Sequence, residues 1–216
     1  DGAEGAGGDA GVAAAAAGRP AGSCPLPDPS PAGRRTSPTS VHEYTEAIRR
    51  GRSSGKELLI LPISSVISAS IKSAYAAQKV YTGEPVEIVD SKLTAMALGL
   101  MVIAAARAAK AGNSLAQCKA IAEIAFDHIG LLFVVETLKY LRLGGRIGAA
   151  KNLLGTALHI KPILTMKDGA NAQAGSAVSK PKAIEKMIEL AKEKIANQSP
   201  VTLSIMHAMD PEDASI

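Results

Sequence analysis

The hydrophobic positions of this chain fall into two alternating patterns. A continuous apolar run stands at 58–63, with shorter strand-like runs at 86–89 and 131–135, as in parallel strands covered on both faces. Around them, apolar residues recur at helical spacing over 41–50, 69–81, 95–110 and 114–128. Start and stop signals agree with these bounds. Ser40 with Glu43 three residues on reads as a capping box. Gly112-Asn113 stops one helix, and Ser114 caps the next. Alternating strands and helices predict a parallel, doubly wound sheet. Ligands of such sheets bind beyond the carboxyl ends of the strands.

The stretch 136–169 organises the rest. It opens as an amphipathic helix, with Leu138, Leu141 and Leu143 among Lys139, Tyr140 and Arg142. It breaks at Gly144-Gly145, where residues without Cβ permit a left-handed turn, and Arg146 follows directly. A second helical run carries Ile147, Leu153, Leu154, Ala157 and Leu158 until Pro162 ends it. Residues 163–166 read as a strand closed by the turn Lys167-Asp168-Gly169, and 170–178 can pair back as a hairpin. A helix begins at Pro181 with Ile184, Met187, Ile188, Ala191 and Ile195 on one face, and 201–207 alternates as a strand. The pattern then stops within another helix start at 210–213. The expected organisation has three parts: a low-complexity, disordered segment over 1–35, a Rossmann-like α/β/α domain over 36–158, and a C-terminally incomplete α+β domain over 159–216.

Composition narrows the function classes. The aromatic residues are Phe126, Phe133 and four tyrosines, with no tryptophan. These are too few stacking rings for a binder of single-stranded nucleic acid. A net charge of +4 is a mild bias, but between Lys139 and Lys182 eight Lys and Arg residues face one acid, Asp168. Such a face suits phosphate or an anionic membrane, or is simply solvated. Cys24 and Cys118 show neither a disulfide framework nor metal spacing, which fits a reducing compartment. The alanine run at 13–17 is too short for a secretory signal, and the apolar run at 93–106 is too short to span a bilayer. A soluble, cytoplasmic protein is expected.

Two places offer anion chemistry. After the run at 58–63 come Ser64, Ser65, Ser68 and Ser70, and then a helix start. Free N–H groups, the helix dipole and hydroxyls together suit an anion, while helix capping accounts for the same residues equally well. The hydroxyl cluster Thr36-Ser37-Pro38-Thr39-Ser40 has capping as its default explanation. Arg146 after its glycine turn is either a fixed anion contact or a solvated side chain. Asp90, ending the strand at 86–89, is a candidate base or metal ligand, and a turn role competes with both. His42, His128, His159 and His207 lack ligand spacing, and no phosphate loop, dinucleotide fingerprint, HExxH or GxSxG motif is present. No catalytic residue, metal or cofactor is assigned.

The pieces in this order resemble the DegV family of bacterial fatty-acid-binding proteins over roughly 36–216. The resemblance is strongest in VETLKYLRLGGRIGAAKNLLGTALHIKPILTMKDG. Supporting segments are Thr36-Ser37, the ISSVISAS run at 63–70, and VDSK at 89–92 followed by Leu98-Gly99. The resemblance implies a two-domain fold, a Rossmann-like layer and a second α+β domain, with a long-chain fatty acid in a tunnel between them. It implies that Thr36 and Ser68 meet the carboxylate, with Ser37, Ser64 and Ser65 as further donors, and that Arg146 lies by the head group and handles the acyl-phosphate. It also implies a non-catalytic lipid carrier for phospholipid metabolism, presenting its ligand to a fatty acid kinase subunit. Transient contact with a membrane surface is expected, and nucleic acid is not. Two segments depart from the family pattern: Thr36-Ser37-Pro38 is one residue short before its proline, and Ser68-Ala69-Ser70 has alanine where the family has glycine.

Two other readings stand beside this one. A small α/β hydrolase or phosphotransferase would use Ser68 with Asp90, without the usual nucleophile elbow. A truncated product would neither bind nor fold well.

Overall fold

A computed structural model of the chain describes residues 13–15, 38–52, 57–83, 85–153, 160–196 and 198–208. The chain divides into two compact units, 1–93 with 100–129, and 94–99 with 130–216. Apart from residues 94–99, the change from the first unit to the second falls at 129/130.

In the first unit, β1 (Ala13–Ala15), β2 (Leu58–Ile60) and β3 (Val86–Ile88) form a parallel sheet in the order β1-β2-β3. Helices α1 (Val41–Arg52) and α2 (Ser70–Val80) pack on each other. They contribute Tyr44, Ile48, Ile71, Ala74 and Ala77 to a core shared with Leu58 and Ile60 of β2 and with Val86 and Ile88 of β3. Side chains alternate along a strand, so Leu59 faces the other side. There α4 (Leu115–His128) packs on β2. Coverage on both faces is why β2 is apolar at every position and wholly buried. Strand β1 lies within the 1–35 segment, and Ala13–Ala15 pairs in register with Leu58–Ile60. Ladder hydrogen bonds come from the backbone and need no large side chain.

The expected capping box at Ser40 forms, and the expected cap at Ser114 proves to be a capping box as well. Ser40 Oγ accepts the Glu43 N–H at 3.2 Å, while the Glu43 carboxylate accepts the Ser40 N–H at 2.7 Å. Ser114 and Gln117 make the same reciprocal pair at the start of α4. Helix α3 (Ala95–Lys110) is buried at Ala97, Met101, Ala105 and Ala109, a single stripe at i, i+4 spacing.

In the second unit, β4 (Leu132–Val134), β5 (Lys161–Lys167) and β6 (Ala170–Ala177) form an antiparallel sheet in that order. This corrects the reading of 131–135 as a third buried parallel strand. Its three residues are only half-buried and pair antiparallel with β5, Leu132 opposite Thr165 and Val134 opposite Ile163. A short apolar run carries no signal of its partner's direction. The β5–β6 hairpin forms as expected, turning at Asp168 (φ 50) and Gly169 (φ 81), the left-handed pair that an Asp-Gly hairpin turn requires. Helix α6 (Lys180–Ile195) starts beside Pro181, buries Ala183 and Ile184, and packs on all three strands.

Two expectations on this side change. The first helix of the 136–169 stretch is only α5 (Lys139–Leu143), and the second run is a 3₁₀ helix over Gly148–Leu153. Residues 154–159 lie outside the described residues. The alternating segment 201–207 forms no strand; Leu203, Ile205 and Met206 are exposed. Alternation prepares a segment for a sheet edge without supplying the edge.

Candidate functional site

The loops that follow β2 and β3 stand at the carboxyl ends of adjacent parallel strands, the position where sheets of this kind bind ligands. They are tied to each other. The Ser64 N–H donates to the Leu93 carbonyl at 2.9 Å, and the Ser65 N–H donates to Asp90 Oδ1 at 3.1 Å. Asp90 Oδ1 also accepts the Lys92 N–H at 3.1 Å, which closes the second loop on itself. Buried Ser91 is bonded through Oγ to the N–H and carbonyl of buried Leu93. Asp90 is therefore engaged as a turn former.

Each serine of the first loop has a distinct place. Ser64 is wholly buried; its carbonyl accepts the Ile67 and Ser68 N–H groups, and its Oγ accepts the Val66 N–H at 3.2 Å. It shapes the turn from within. Ser65 is exposed. Ser68 is half-buried just before α2, where its Oγ accepts the Ser70 N–H at 3.2 Å and is hydrogen-bonded to Ser70 Oγ at 2.8 Å. The capping side of the expectation is visible in this residue. Its hydroxyl accepts at the helix start, while Ala69, the N-cap, offers no side-chain acceptor. The first turn of α2 carries no acid of its own to offset the positive end of the helix dipole. Ala69 has φ −78, a conformation open to any L-residue, so the alanine in place of the family's glycine sits without backbone strain.

Thr36 and Ser37 lie outside the described residues. The chain is fixed shortly after them, where the Thr39 N–H donates to Ser70 Oγ at 3.2 Å. A hydroxyl relay thus joins the Thr39 backbone to Ser70 and Ser68. Ser70 was legible only as one member of a cluster, and its link to Thr39, 31 positions away, had no local signal. Tyr44 is nearby in the chain and buried in the core. Burial pushes its phenol above the usual range, a hydrogen bond with Thr39 opposes this, and the Glu43 charge adds to it.

Arg146 belongs to the second unit. Helix α5 ends at Gly144 in a Schellman motif: the Gly145 N–H (φ 71) bonds the Arg142 carbonyl at 3.0 Å, and the Arg146 N–H bonds the Leu141 carbonyl at 2.8 Å. The Arg146 carbonyl accepts Asn171 Nδ2 at 2.7 Å, and its exposed guanidinium donates to the Gly144 carbonyl. Lys139, Arg142 and Lys151 are exposed in the same stretch. Lys161 and Lys180 are instead engaged with Glu136. Among the described residues there is no group of three or more His, Cys, Asp or Glu side chains able to hold a metal ion, and no helix long and apolar enough to cross a membrane.

A parallel α/β unit with serine-lined loops at its strand ends is followed by a unit of antiparallel sheet and helix, an α/β protein of two compact units. The family model described as "Uncharacterised protein, DegV family" matches residues 30–216. A DegV domain-containing protein of Streptomyces coelicolor is 35% identical over 181 residues, covering 83% of this chain and 64% of that protein. One from Clostridium acetobutylicum is 36% identical over 159 residues, covering 72% and 56%. Among solved structures, the chain is similar to a DegV family protein from Thermus thermophilus described for its fatty acid binding, with TM-score 0.68 and 32% identity over 75% of this chain and 57% of that one. It is also similar to DegV of Bacillus subtilis, described as a fatty acid binding protein, with TM-score 0.65 and 26% identity over 72% and 56%. The chain belongs to the DegV family. It spans less than two thirds of the length of these relatives.

Proposed function

We propose that this chain is the fatty-acid-holding part of a cytoplasmic, non-catalytic carrier. The carboxylate is held by Ser68 and Thr36, with Ser37 and Ser65 as further donors and Ser64 shaping the loop. The observation that carries the reading is the Ser68 hydroxyl at the start of α2, in a loop fixed at the carboxyl end of β2. The description of similar structures as fatty acid binding proteins supports the ligand class. A carboxylate needs donors, and each charged hydrogen bond contributes about 1.5–3 kcal/mol. Each buried methylene of the chain adds about 0.8 kcal/mol. The tail therefore sets affinity and the hydroxyls set orientation.

The proposed partner is a fatty acid kinase subunit that transfers the γ-phosphoryl group of ATP to the bound carboxylate, releasing ADP. The product carries more negative charge than the substrate, and Arg146 is the cation we assign to it. The exposed Lys139, Arg142 and Lys151 suit that partner or a transient membrane contact. The carrier itself needs no cofactor. A competition titration against a fluorescent fatty acid tests the carboxylate requirement. Palmitate should displace the probe far better than hexadecanol, and equal displacement would remove the role given to the hydroxyls.

A further inference from the structure

We infer that Asn171 is the residue that positions Arg146, an inference that rests on the head-group role proposed above for Arg146. Asn171 lies on β6, paired with Met166 of β5, and is 5% exposed. The other residues of this strand are alanines, a glycine, a serine and a glutamine, and none of them is buried as Asn171 is. A buried amide in such a strand requires partners, because an unpaired one is costly. Its Nδ2 donates to the Arg146 carbonyl at 2.7 Å. Its backbone lies against Gly148 (φ 54), where a Cβ would collide with the Asn171 carbonyl oxygen. Arg146 is therefore held at both backbone groups, its N–H by the end of α5 and its carbonyl by Asn171. The hairpin fixes where the arginine side chain begins. Asn171 acts through Arg146, without touching ligand.

The test is a double-mutant cycle, because a merely structural residue would cost the same in any background. Acyl-phosphate formation is measured with the full chain loaded with palmitate, ATP and the fatty acid kinase subunit of the same genome. Arg146→Ala, Asn171→Ala and the double variant are compared with the parent. Asn171→Ala should lower kcat about tenfold while bound palmitate stays unchanged, in line with what small misplacements cost. Added to Arg146→Ala, it should change the rate by less than about twofold. Equal losses in both backgrounds would overturn the inference, as would a parental rate for Asn171→Ala beside a slowed Arg146→Ala. A parental rate for Arg146→Ala would instead remove the head-group reading, and the inference with it. If Asn171→Ala does not fold, Asn171→Asp, which replaces the donor by an acceptor of the same shape, runs the same cycle with the same expectations.

Discussion

Asp90 Oδ1 accepts the backbone N–H of Ser65, 25 positions earlier in the chain, at 3.1 Å. Through this bond, and that from the Ser64 N–H to the Leu93 carbonyl, the loop after β3 is tied to the loop after β2. The bond to Ser65 also gives the carboxylate a structural role that the hydrolase reading would have needed for catalysis.

Asp90→Ala should cost about 1–2 kcal/mol of stability, because two N–H groups lose a charged acceptor at a half-exposed position. Asp90→Asn keeps an acceptor and should stay near the parent in both urea denaturation and fatty-acid affinity. If Asp90→Asn abolished turnover of an ester with folding intact, the carrier account would yield to the enzymatic one.

Ser68→Ala should weaken palmitate binding about tenfold, the equivalent of one hydrogen bond to a charged group. Hexadecanol affinity should stay nearly constant. The thermal midpoint should fall slightly, since the Ser70 N–H loses its acceptor at the start of α2. Titration of both ligands checks the pair of outcomes. An equal loss for acid and alcohol would assign Ser68 to capping alone.

The two left-handed glycines around Arg146 should differ. Gly145→Ala should cost about 1–2 kcal/mol, the penalty of a Cβ at positive φ in open space. Gly148→Ala adds a collision with the Asn171 backbone and should cost more than about 2 kcal/mol. Chemical denaturation of both variants reads the ranking directly.

Alkaline pH should destabilise the first unit through Tyr44. Burial raises its phenol above the ordinary 10.0, so the folded chain keeps a proton that the unfolded chain releases. That contribution is complete below pH 10.0 and is lost as pH rises through the raised folded value. Tyr44→Phe should flatten the fall of the thermal midpoint above that pH. The same slope in parent and variant would assign the alkaline loss to other groups.

Much of this fold was legible in local chemistry. The capping boxes at Ser40 and Ser114, the Gly144-Gly145 stop and the Asp168-Gly169 hairpin turn are each specified within a few residues, and each forms. The doubly covered β2 announced itself by an apolar run without alternation. What escaped was pairing over long separations. Nothing in Leu132–Val134 says that it joins β5 in the second sheet, and nothing in Ala13–Ala15 marks it as an edge strand. The candidate residues divide in the same way. The serine cluster and Arg146 stood out by type and position. The bonds that organise them, from Asp90 to Ser65, Ser70 to Thr39 and Asn171 to Arg146, join residues 25, 31 and 25 positions apart.

A chain that acts as the proposed carrier holds a long-chain fatty acid. The most direct test is organic extraction of the purified, denatured protein followed by mass spectrometry of the extract. A stoichiometric fatty acid recovered from a chain with native circular dichroism is the predicted result, and it would also name the preferred acyl chain. A folded chain that yields no fatty acid, even after incubation with palmitate, would contradict the account.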